Sequence, residues 1–228
     1  MRGQNVIGRA PQARPTLRLL PATIQFVIGY LLLRPWYVFG FRGRVRRSRH
    51  VPVGPCVFAA NHRSYFDPSY VGMFQIHPIA YFARGDLWDQ PVIAFFLNAM
   101  QGIPVDRANP GLSSMKGAVD RLRRGISVLV FPEGTRTRTG RMSAFREGPA
   151  LFARRAGVPI VPIYLHRSER VWPRAATLPT LLASGLEIRI GTPIHAPAGL
   201  DPRSQDSWVS RRLEAWMRVQ ERELLGPG

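Results

Sequence analysis

Short apolar runs recur along the chain from about residue 50 onward, separated by longer stretches with helical spacing. Apolar runs of about four to eight residues that are rich in β-branched and aromatic side chains are typical of buried strands. Five such runs are present, at residues 56–60, 78–83, 126–131, 158–165 and 186–190. The prolines in the fourth run favour an edge position or an irregular start for that strand, because proline has no amide N–H to donate.

Helices are predicted between most of these runs. Residues 113–125 begin with serines suited to a helix cap, end with a glycine suited to a helix stop, and carry apolar side chains at helical spacing. Residues 145–157 and 207–226 also favour helices, although the apolar face of the last one is not evident. Alternating strands and helices predict an α/β fold, with a central mixed sheet flanked by helices.

The N-terminal region has a different character. Residues 19–33 are apolar, and as a helix they would cover about 22 Å, which is less than the ~30 Å hydrocarbon core of a bilayer. Aromatic and arginine side chains alternate in the residues that follow, which suits the headgroup region of an anionic membrane. We therefore expect residues 1–49 to form a membrane-associating helical segment with a basic linker, and residues 50–228 to form the α/β domain. A core helix followed by a solvated loop, or a true membrane span continuing through Arg34, are the alternatives.

The chain is strongly basic and contains one cysteine. Thirty-two Lys and Arg residues against 14 Asp and Glu give a net charge of +18, so an anionic partner is expected: nucleic acid, anionic lipid or a phosphorylated substrate. A nucleic-acid-binding module would account for the charge but not for the apolar N-terminal region. The single cysteine, Cys56, excludes an internal disulfide and any cysteine-built metal site. No metal is expected, because the histidines outside the motif described next lack ligand spacing.

A histidine and an aspartate lie five residues apart in AANHRSYFDPSY, residues 59–70. On one continuous helix, His62 and Asp67 would point about 140° apart, so they can meet only across a turn. Pro68 disfavours the helical conformation for Asp67 and favours a helix that starts directly after it. The stretch therefore predicts a strand end near Asn61, a turn, and a helix with Asp67 as its N-cap.

This turn can bring the Asp67 carboxylate against the His62 imidazole. The carboxylate would fix the tautomer of the ring and leave the other nitrogen as a base for a substrate hydroxyl. The alternative is that Asp67 is only a cap and His62 only a loop residue. Ser64 could be proposed as a nucleophile, but no second feature of the sequence supports it.

Two further segments carry arginines next to glycines. Residues 128–140 contain Gly134, which permits a sharp turn, and Arg136, whose planar guanidinium suits two phosphate oxygens. Residues 101–107 end in Arg107 after a short extended stretch. Taken alone, each segment is also compatible with a polar surface turn.

The motifs in this order resemble those of the glycerolipid acyltransferase family, the 1-acylglycerol-3-phosphate acyltransferases. The shared pattern is His-x-x-x-x-Asp, Gly-x-x-x-x-Arg, Phe-Pro-Glu-Gly-Thr-Arg and finally VPIVPIYL, and it covers about residues 50–195. The resemblance implies transfer of a fatty acyl group from acyl-CoA or acyl-carrier protein to the free hydroxyl of lysophosphatidic acid, which gives phosphatidic acid. It implies no cofactor beyond this co-substrate, and a location at the cytoplasmic face of the cell membrane.

Residue roles follow from the motif positions. The resemblance implies that His62 is the general base and Asp67 its orienting partner. It implies that Arg107 contacts the acceptor phosphate and that Pro162 shapes the acyl side of the pocket. A further group would bind and position the glycerol phosphate: Glu133, Gly134, Thr135 and Arg136.

The sequence departs from the family pattern at three positions. Arg84 and Glu147 stand where many members have lysine, and Thr137 stands where serine is usual. These departures leave the acceptor headgroup open, so another lysophospholipid, glycerol 3-phosphate or a glycolipid are alternative acceptors. A non-catalytic basic protein that binds membranes or nucleic acid is the alternative of a different class.

Overall fold

A mixed sheet of seven strands forms the centre of the molecule. The computed structural model describes residues 22–41, 43–48, 54–72, 79–99, 101–105, 112–180 and 183–226. The strands are β1 (Arg44–Arg47), β2 (Val57–Ala60), β3 (Ala80–Arg84), β4 (Ile103–Val105), β5 (Val128–Val130), β6 (Ile160–His166) and β7 (Glu187–Ile190). Five of them lie within or next to the five predicted runs.

Six α-helices accompany the sheet in the described ranges. They are α1 (Ala22–Pro35), α2 (Asp67–Gly72), α3 (Pro91–Ala99), α4 (Leu112–Arg123), α5 (Gly148–Ala156) and α6 (Pro202–Leu225). Helix α5 ends at Gly157, whose φ of 69° is the left-handed conformation expected of a helix-ending glycine. Asp201 caps α6 by accepting hydrogen bonds from the amides of Arg203 and Ser204.

The strands are ordered β1-β7-β6-β2-β5-β3-β4 across the sheet. All neighbouring strands are parallel except β6 and β7, which are antiparallel. The predicted α/β fold with a central mixed sheet flanked by helices is therefore confirmed. Helices α4, α5 and α6 cover one face, where their apolar side chains pack against those of β2, β5 and β6.

Of the two alternatives for the strand that contains Pro162, the edge position is wrong, whereas an irregular start is observed on the side of β7. Strand β6 lies in the interior of the sheet, between β7 and β2, and all its residues are buried. The proline is accommodated because the ladder with β7 is irregular at this point. Regular pairing ends at the Ile163–Ile190 pair, and beyond it Gly191 N donates to Pro162 O while Ile160 bridges to Ile194. The nitrogen of Pro162 thus points toward the irregular part of the β6–β7 pairing, where no carbonyl of β7 needs a hydrogen bond from it.

The sheet begins before residue 50, the predicted domain boundary. After α1 comes a π-helical turn, Trp36–Gly40, and two aromatic side chains from this region, Tyr37 and Phe41, are fully buried in the core. Strand β1 then pairs in parallel with β7. The residues interpreted as a basic linker therefore include an edge strand of the domain. No helix within the described ranges is both long and apolar enough to cross a membrane.

Candidate active site

Two adjacent parallel strands bring the predicted motifs together. Strands β2 and β5 pair in parallel from Val57–Val128 to Ala59–Val130. Loops that follow neighbouring parallel strands leave the sheet at the same edge, and this edge is where α/β folds place their ligand sites. The loop after β2 starts with Asn61 and His62, and the loop after β5 contains residues 131–136. Asn61 fixes the first loop by exchanging two hydrogen bonds with the backbone of Leu165 on β6.

His62 and Asp67 are in direct contact. Nδ1 of His62 lies 2.8 Å from Oδ2 of Asp67. The Asp67 side chain is fully buried, whereas 18% of the His62 side chain is exposed. Because an ionised carboxylate can only accept, the neutral imidazole carries its proton on Nδ1 and its lone pair on Nε2. The predicted turn between the two residues is therefore present.

The Asp67 side chain does not act as the N-cap that the sequence predicted. Asp67 is the first residue of α2, and its Oδ2 turns back to accept from the amides of Arg63 at 2.6 Å and Ser64 at 2.7 Å. Ser64 makes a separate contact within the turn, where its Oγ accepts from the amide of Phe66. The same Oγ donates to the carbonyl of Trp172. The turn from His62 to Asp67 is thus held together by hydrogen bonds to the Asp67 carboxylate.

Glu133 ties the two loops to each other. Its Oε1 accepts from the amide of His62 at 2.8 Å, and its Oε2 accepts from the amide of Ser143 at 2.9 Å. The residue is 4% exposed, and burial raises the pKa of its carboxyl even though these hydrogen bonds act in the opposite direction. Both oxygens of Glu133 are engaged with backbone amides, one of His62 and one of Ser143.

The remaining residues of the Phe-Pro-Glu-Gly-Thr-Arg motif run alongside His62. Gly134 has a φ of 70°, and a Cβ there would lie 3.1 Å from Nε of Arg146, so both conformation and space favour glycine. Thr135 is exposed. The guanidinium of Arg136 lies over the ring of Tyr65, with Cζ 3.2 Å from the ring centroid, and its Nη1 has no hydrogen-bond partner within the described residues.

The next residue, Thr137, fixes this loop against the histidine. Its amide donates to the carbonyl of His62 at 2.9 Å. Glu133 and Thr137 therefore bind the N–H and the C=O of the same residue, His62. The guanidinium of Arg136 is held beside the His62 turn because its neighbour Thr137 is bonded to that turn.

Phe131 separates His62 from an apolar pocket. Its ring stacks on the imidazole at 3.9 Å between centroids and 13° between planes. Phe131 also contributes to a pocket of about 220 Å³ between the sheet and helices α4 and α5. The apolar side chains that line it include Phe82, Val105, Met115, Val130, Phe131 and Phe152. A hydrocarbon chain in this pocket would end close to the imidazole.

An ion pair that the sequence analysis missed holds the turn between His62 and Asp67. Arg63 is buried, and its guanidinium donates to both oxygens of Glu169, with Nε–Oε2 at 2.7 Å and Nη2–Oε1 at 3.2 Å. Because 34% of the Glu169 side chain is exposed, water weakens the attraction between the two charges, but the two hydrogen bonds still fix the residue next to His62. Phe131 was missed as well, since nothing in the sequence showed that β2 and β5 are neighbours.

Arg107 lies outside the described residues, so its implied contact with the acceptor phosphate stays a prediction. Pro162 is not among the residues that line the apolar pocket; its Cγ lies beside Gly191. All three positions that depart from the family pattern make protein contacts, and Thr137 donates its hydroxyl to the carbonyl of Arg141 in addition to its bond with His62. Arg84 pairs with Asp86, and Glu147 accepts a hydrogen bond from Ser207. Among the described residues, no group of three or more His, Cys, Asp and Glu side chains could hold a metal ion.

Comparisons with known proteins agree with the motifs. The family model described as Acyltransferase matches residues 42–166. A 1-acyl-sn-glycerol-3-phosphate acyltransferase from Pseudomonas aeruginosa is 32% identical over 79% of this chain and 69% of its own length. The mouse 1-acyl-sn-glycerol-3-phosphate acyltransferase alpha is 33% identical over 61% of this chain and 50% of its own.

A solved structure has the same fold. The crystal structure of the 1-acyl-sn-glycerophosphate (LPA) acyltransferase PlsC from Thermotoga maritima superposes with a TM-score of 0.61, at 20% identity, over 86% of this chain and 94% of that one. The matched residues 42–166 contain the His62 turn, the Glu133 loop and strand β6. The chain therefore belongs to the acyltransferase family, among the PlsC-like glycerolipid acyltransferases that its motifs predicted.

Proposed function

We propose that the chain transfers a fatty acyl group to the free hydroxyl of lysophosphatidic acid and so forms phosphatidic acid. The names of the relatives support this acceptor. One observation carries the chemistry: the 2.8 Å contact between His62 Nδ1 and an Asp67 oxygen that two backbone amides also hold. It leaves Nε2 as a base, and Nε2 has no hydrogen-bond partner within the described residues.

The proposed step balances without any further reactant. Nε2 of His62 takes the proton of the lipid hydroxyl, and the oxygen attacks the thioester carbonyl of the donor. The tetrahedral intermediate collapses, the C–S bond breaks, and the proton on His62 passes to the leaving thiolate. Asp67 stabilises the imidazolium that exists between these two transfers. Because the substrate provides the nucleophile, the reaction requires no metal or other cofactor.

The acyl group passes directly from donor to acceptor in this proposal. Ser64 would have to be the nucleophile of an acyl-enzyme, but its hydroxyl is fully buried and already bonded to Trp172 and Phe66. A serine nucleophile needs a base within hydrogen-bond reach. Within the described residues, Ser64 Oγ is bonded to Trp172 and Phe66 and makes no hydrogen bond to the nearest base in the turn, His62.

Arg136 is proposed to bind the phosphate of the acceptor, together with Arg107. Support comes from its planar guanidinium, which suits two phosphate oxygens, and from its place in the loop that is bonded to His62. The exposed hydroxyl of Thr135 adds a donor on the same loop, and Gly134 permits the turn. Glu133 is proposed to act on the protein rather than the phosphate, since its oxygens hold backbone amides.

The donor is proposed to be acyl-CoA or acyl-carrier protein, with part of the acyl chain in the apolar pocket behind Phe131. The pocket supports this because its lining is mainly hydrocarbon and aromatic, and because Phe131 also touches His62. A thioester at the mouth of the pocket would lie within reach of the activated hydroxyl.

Helix α1 is proposed to rest on the cytoplasmic face of the cell membrane, where the lipid substrate is. Several large apolar side chains of this region are exposed: Ile24, Val27, Ile28, Leu31 and Phe39. Arg34 lies at the end of the helix with its guanidinium over the Tyr30 ring, a pairing that suits the headgroup layer. Anionic lipids would also attract the +18 charge of the chain.

The test is an acylation assay with palmitoyl-CoA and a panel of acceptors: lysophosphatidic acid, other lysophospholipids, glycerol 3-phosphate and a glycolipid. We expect product from lysophosphatidic acid with wild-type protein and none with His62→Ala. Product from another acceptor alone would keep the mechanism and replace the substrate. No product from any acceptor, with either acyl-CoA or acyl-carrier protein as donor, would favour a non-catalytic basic protein.

A further inference from the structure

A series of hydrogen bonds connects the C-terminal helix to the loop that precedes α5. Glu221 of α6 accepts from the amide of Met142 at 2.7 Å. Arg218, one turn earlier on the same helix, donates to the carbonyls of Met142 at 2.9 Å and Ser143 at 3.0 Å. It also donates to Glu221 at 3.2 Å. The two side chains of α6 therefore hold the N–H of Met142 and the carbonyls of Met142 and Ser143.

From there the contacts continue to the catalytic loop. The amide and the hydroxyl of Ser143 donate to Oε2 of Glu133, at 2.9 Å and 3.3 Å. Oε1 of Glu133 accepts from the amide of His62. We call the four residues Arg218, Glu221, Ser143 and Glu133 the α6 relay. The two carboxylates of the α6 relay, Glu133 and Glu221, are each 4% exposed, so water does not compete for their hydrogen bonds.

We propose that Glu221 and Arg218 are positioning residues for His62, acting through Ser143 and Glu133. This rests on the proposed function of His62 as the general base. The amide of His62 has Glu133 as its acceptor, and Glu133 is itself held from the far side by a loop that α6 clamps. A base that must reach a hydroxyl within hydrogen-bond distance tolerates little displacement, and a shift of ~1 Å can reduce the rate about a hundredfold.

Helix α6 offers a matched control for this proposal. Asp206, three turns nearer its N-terminus than Arg218, is also a buried carboxylate, 8% exposed, and accepts two hydrogen bonds from Arg154 of α5 at 2.8 Å and 2.9 Å. Its contact fastens α6 to α5 and is not part of the α6 relay. Replacing Asp206 therefore weakens the docking of α6 without releasing the loop that holds Glu133.

The experiment compares kcat and KM of the full chain with those of Glu221→Ala, Glu221→Gln and Asp206→Ala, using palmitoyl-CoA and lysophosphatidic acid. We expect Glu221→Ala to lower kcat about ten- to a hundredfold with KM changed less than about threefold. Glu221→Gln should recover part of kcat, because its amide oxygen can still accept from Met142. Asp206→Ala should keep kcat. Equal kcat values for Glu221→Ala and Asp206→Ala, or a loss confined to KM, would overturn the proposal.

Amide hydrogen exchange tests the relay independently of activity. Exchange in a peptide that covers residues 61–67 should be faster in Glu221→Ala than in both wild type and Asp206→Ala. Arg218→Lys, which cannot bond both carbonyls and Glu221 with a planar fork, serves as a second variant if Glu221→Ala does not fold. Unchanged exchange in this peptide would overturn the relay. A wild-type protein without acyltransfer would refute the proposed function instead, and exchange would still decide the relay.

Discussion

Exchanging Asp67 for asparagine removes the charge that faces His62 while keeping the shape of the side chain. An asparagine oxygen in the place of Oδ2 can still accept from the amides of Arg63 and Ser64 and from His62 Nδ1. The amide nitrogen would take the place of Oδ1, which is buried and has no hydrogen-bond partner within the described residues. A buried, unpaired N–H₂ group costs about 1–3 kcal/mol, so Asp67→Asn should lower the free energy of unfolding by that amount.

The expected loss of turnover follows from electrostatics. Two unit charges ~4 Å apart attract by ~4 kcal/mol at an effective dielectric constant of ~20, which is reasonable for the fully buried Asp67 beside a partly exposed imidazolium. If half to all of the imidazolium charge has formed in the transition state, the loss is ~2–4 kcal/mol. At ~1.4 kcal/mol per tenfold change, kcat should fall between about thirtyfold and a thousandfold. KM for the lipid acceptor should change little, because Asp67 contacts the protein alone.

The assay measures kcat and KM with palmitoyl-CoA and lysophosphatidic acid, together with urea unfolding of each variant. Asp206→Asn is the control, since it removes the charge of another buried carboxylate, one that lies at the α5–α6 contact. It should lower stability and leave kcat unchanged. If Asp67→Asn folds and turns over within about threefold of wild type, the loss predicted from Coulomb attraction is absent and Asp67 does not stabilise a charged His62.

Four further outcomes are expected. Arg136→Lys should raise KM for lysophosphatidic acid about tenfold with kcat unchanged, because lysine lacks the planar fork that matches a phosphate; an unchanged KM would argue against this contact. Gly134→Ala should lower the free energy of unfolding by about 1–2 kcal/mol, because of its φ of 70° and the 3.1 Å approach to Arg146; urea unfolding measures this. Burial lowers the pKa of His166, so below pH ~6.5 the unfolded protein binds a proton at this residue that the folded protein does not. The free energy of unfolding should therefore fall as the pH drops below ~6.5, and His166→Gln should reduce this fall in unfolding measured above and below that pH. Incubation with palmitoyl-CoA alone should leave the intact protein mass unchanged, and an increase by one palmitoyl group would contradict the direct transfer argued from the buried Ser64.

Local chain chemistry was sufficient to predict the His62–Asp67 contact. Pro68 restricts Asp67 and starts α2, and the turn between the two residues involves only a few intervening positions. The same reasoning misassigned the Asp67 carboxylate to the helix, because nothing local indicates that Arg63 and Ser64 present their amides to it. Competition among nearby donors is decided by the exact path of the turn, which the sequence does not specify.

Contacts between distant residues could not be predicted in this way. The hydrogen bond between His62 and Glu133 joins positions 71 residues apart and exists because β2 and β5 are neighbours in the sheet. The pairing of β1 with β7, which brings the predicted linker into the domain, likewise depends on strand order. Periodicity reveals that a strand exists, but the order of strands is set by the packing of the whole domain.

Two buried carboxylates, Asp67 and Glu133, serve the same histidine in different ways. Asp67 contacts the ring and Glu133 contacts the backbone amide, yet both place a carboxylate near the imidazolium that the proposed reaction would form. Replacing Glu133 would therefore remove both the hydrogen bond that positions His62 and the nearby negative charge. A change in kcat could not then be assigned to either one. Glu221 and Arg218 lie farther along the α6 relay and reach His62 only through Ser143 and Glu133, so variants there change the position of the histidine while both nearby charges remain. Comparing Asp67→Asn with Glu221→Ala thus separates the electrostatic contribution to the rate from the geometric one, which no substitution of Glu133 can do.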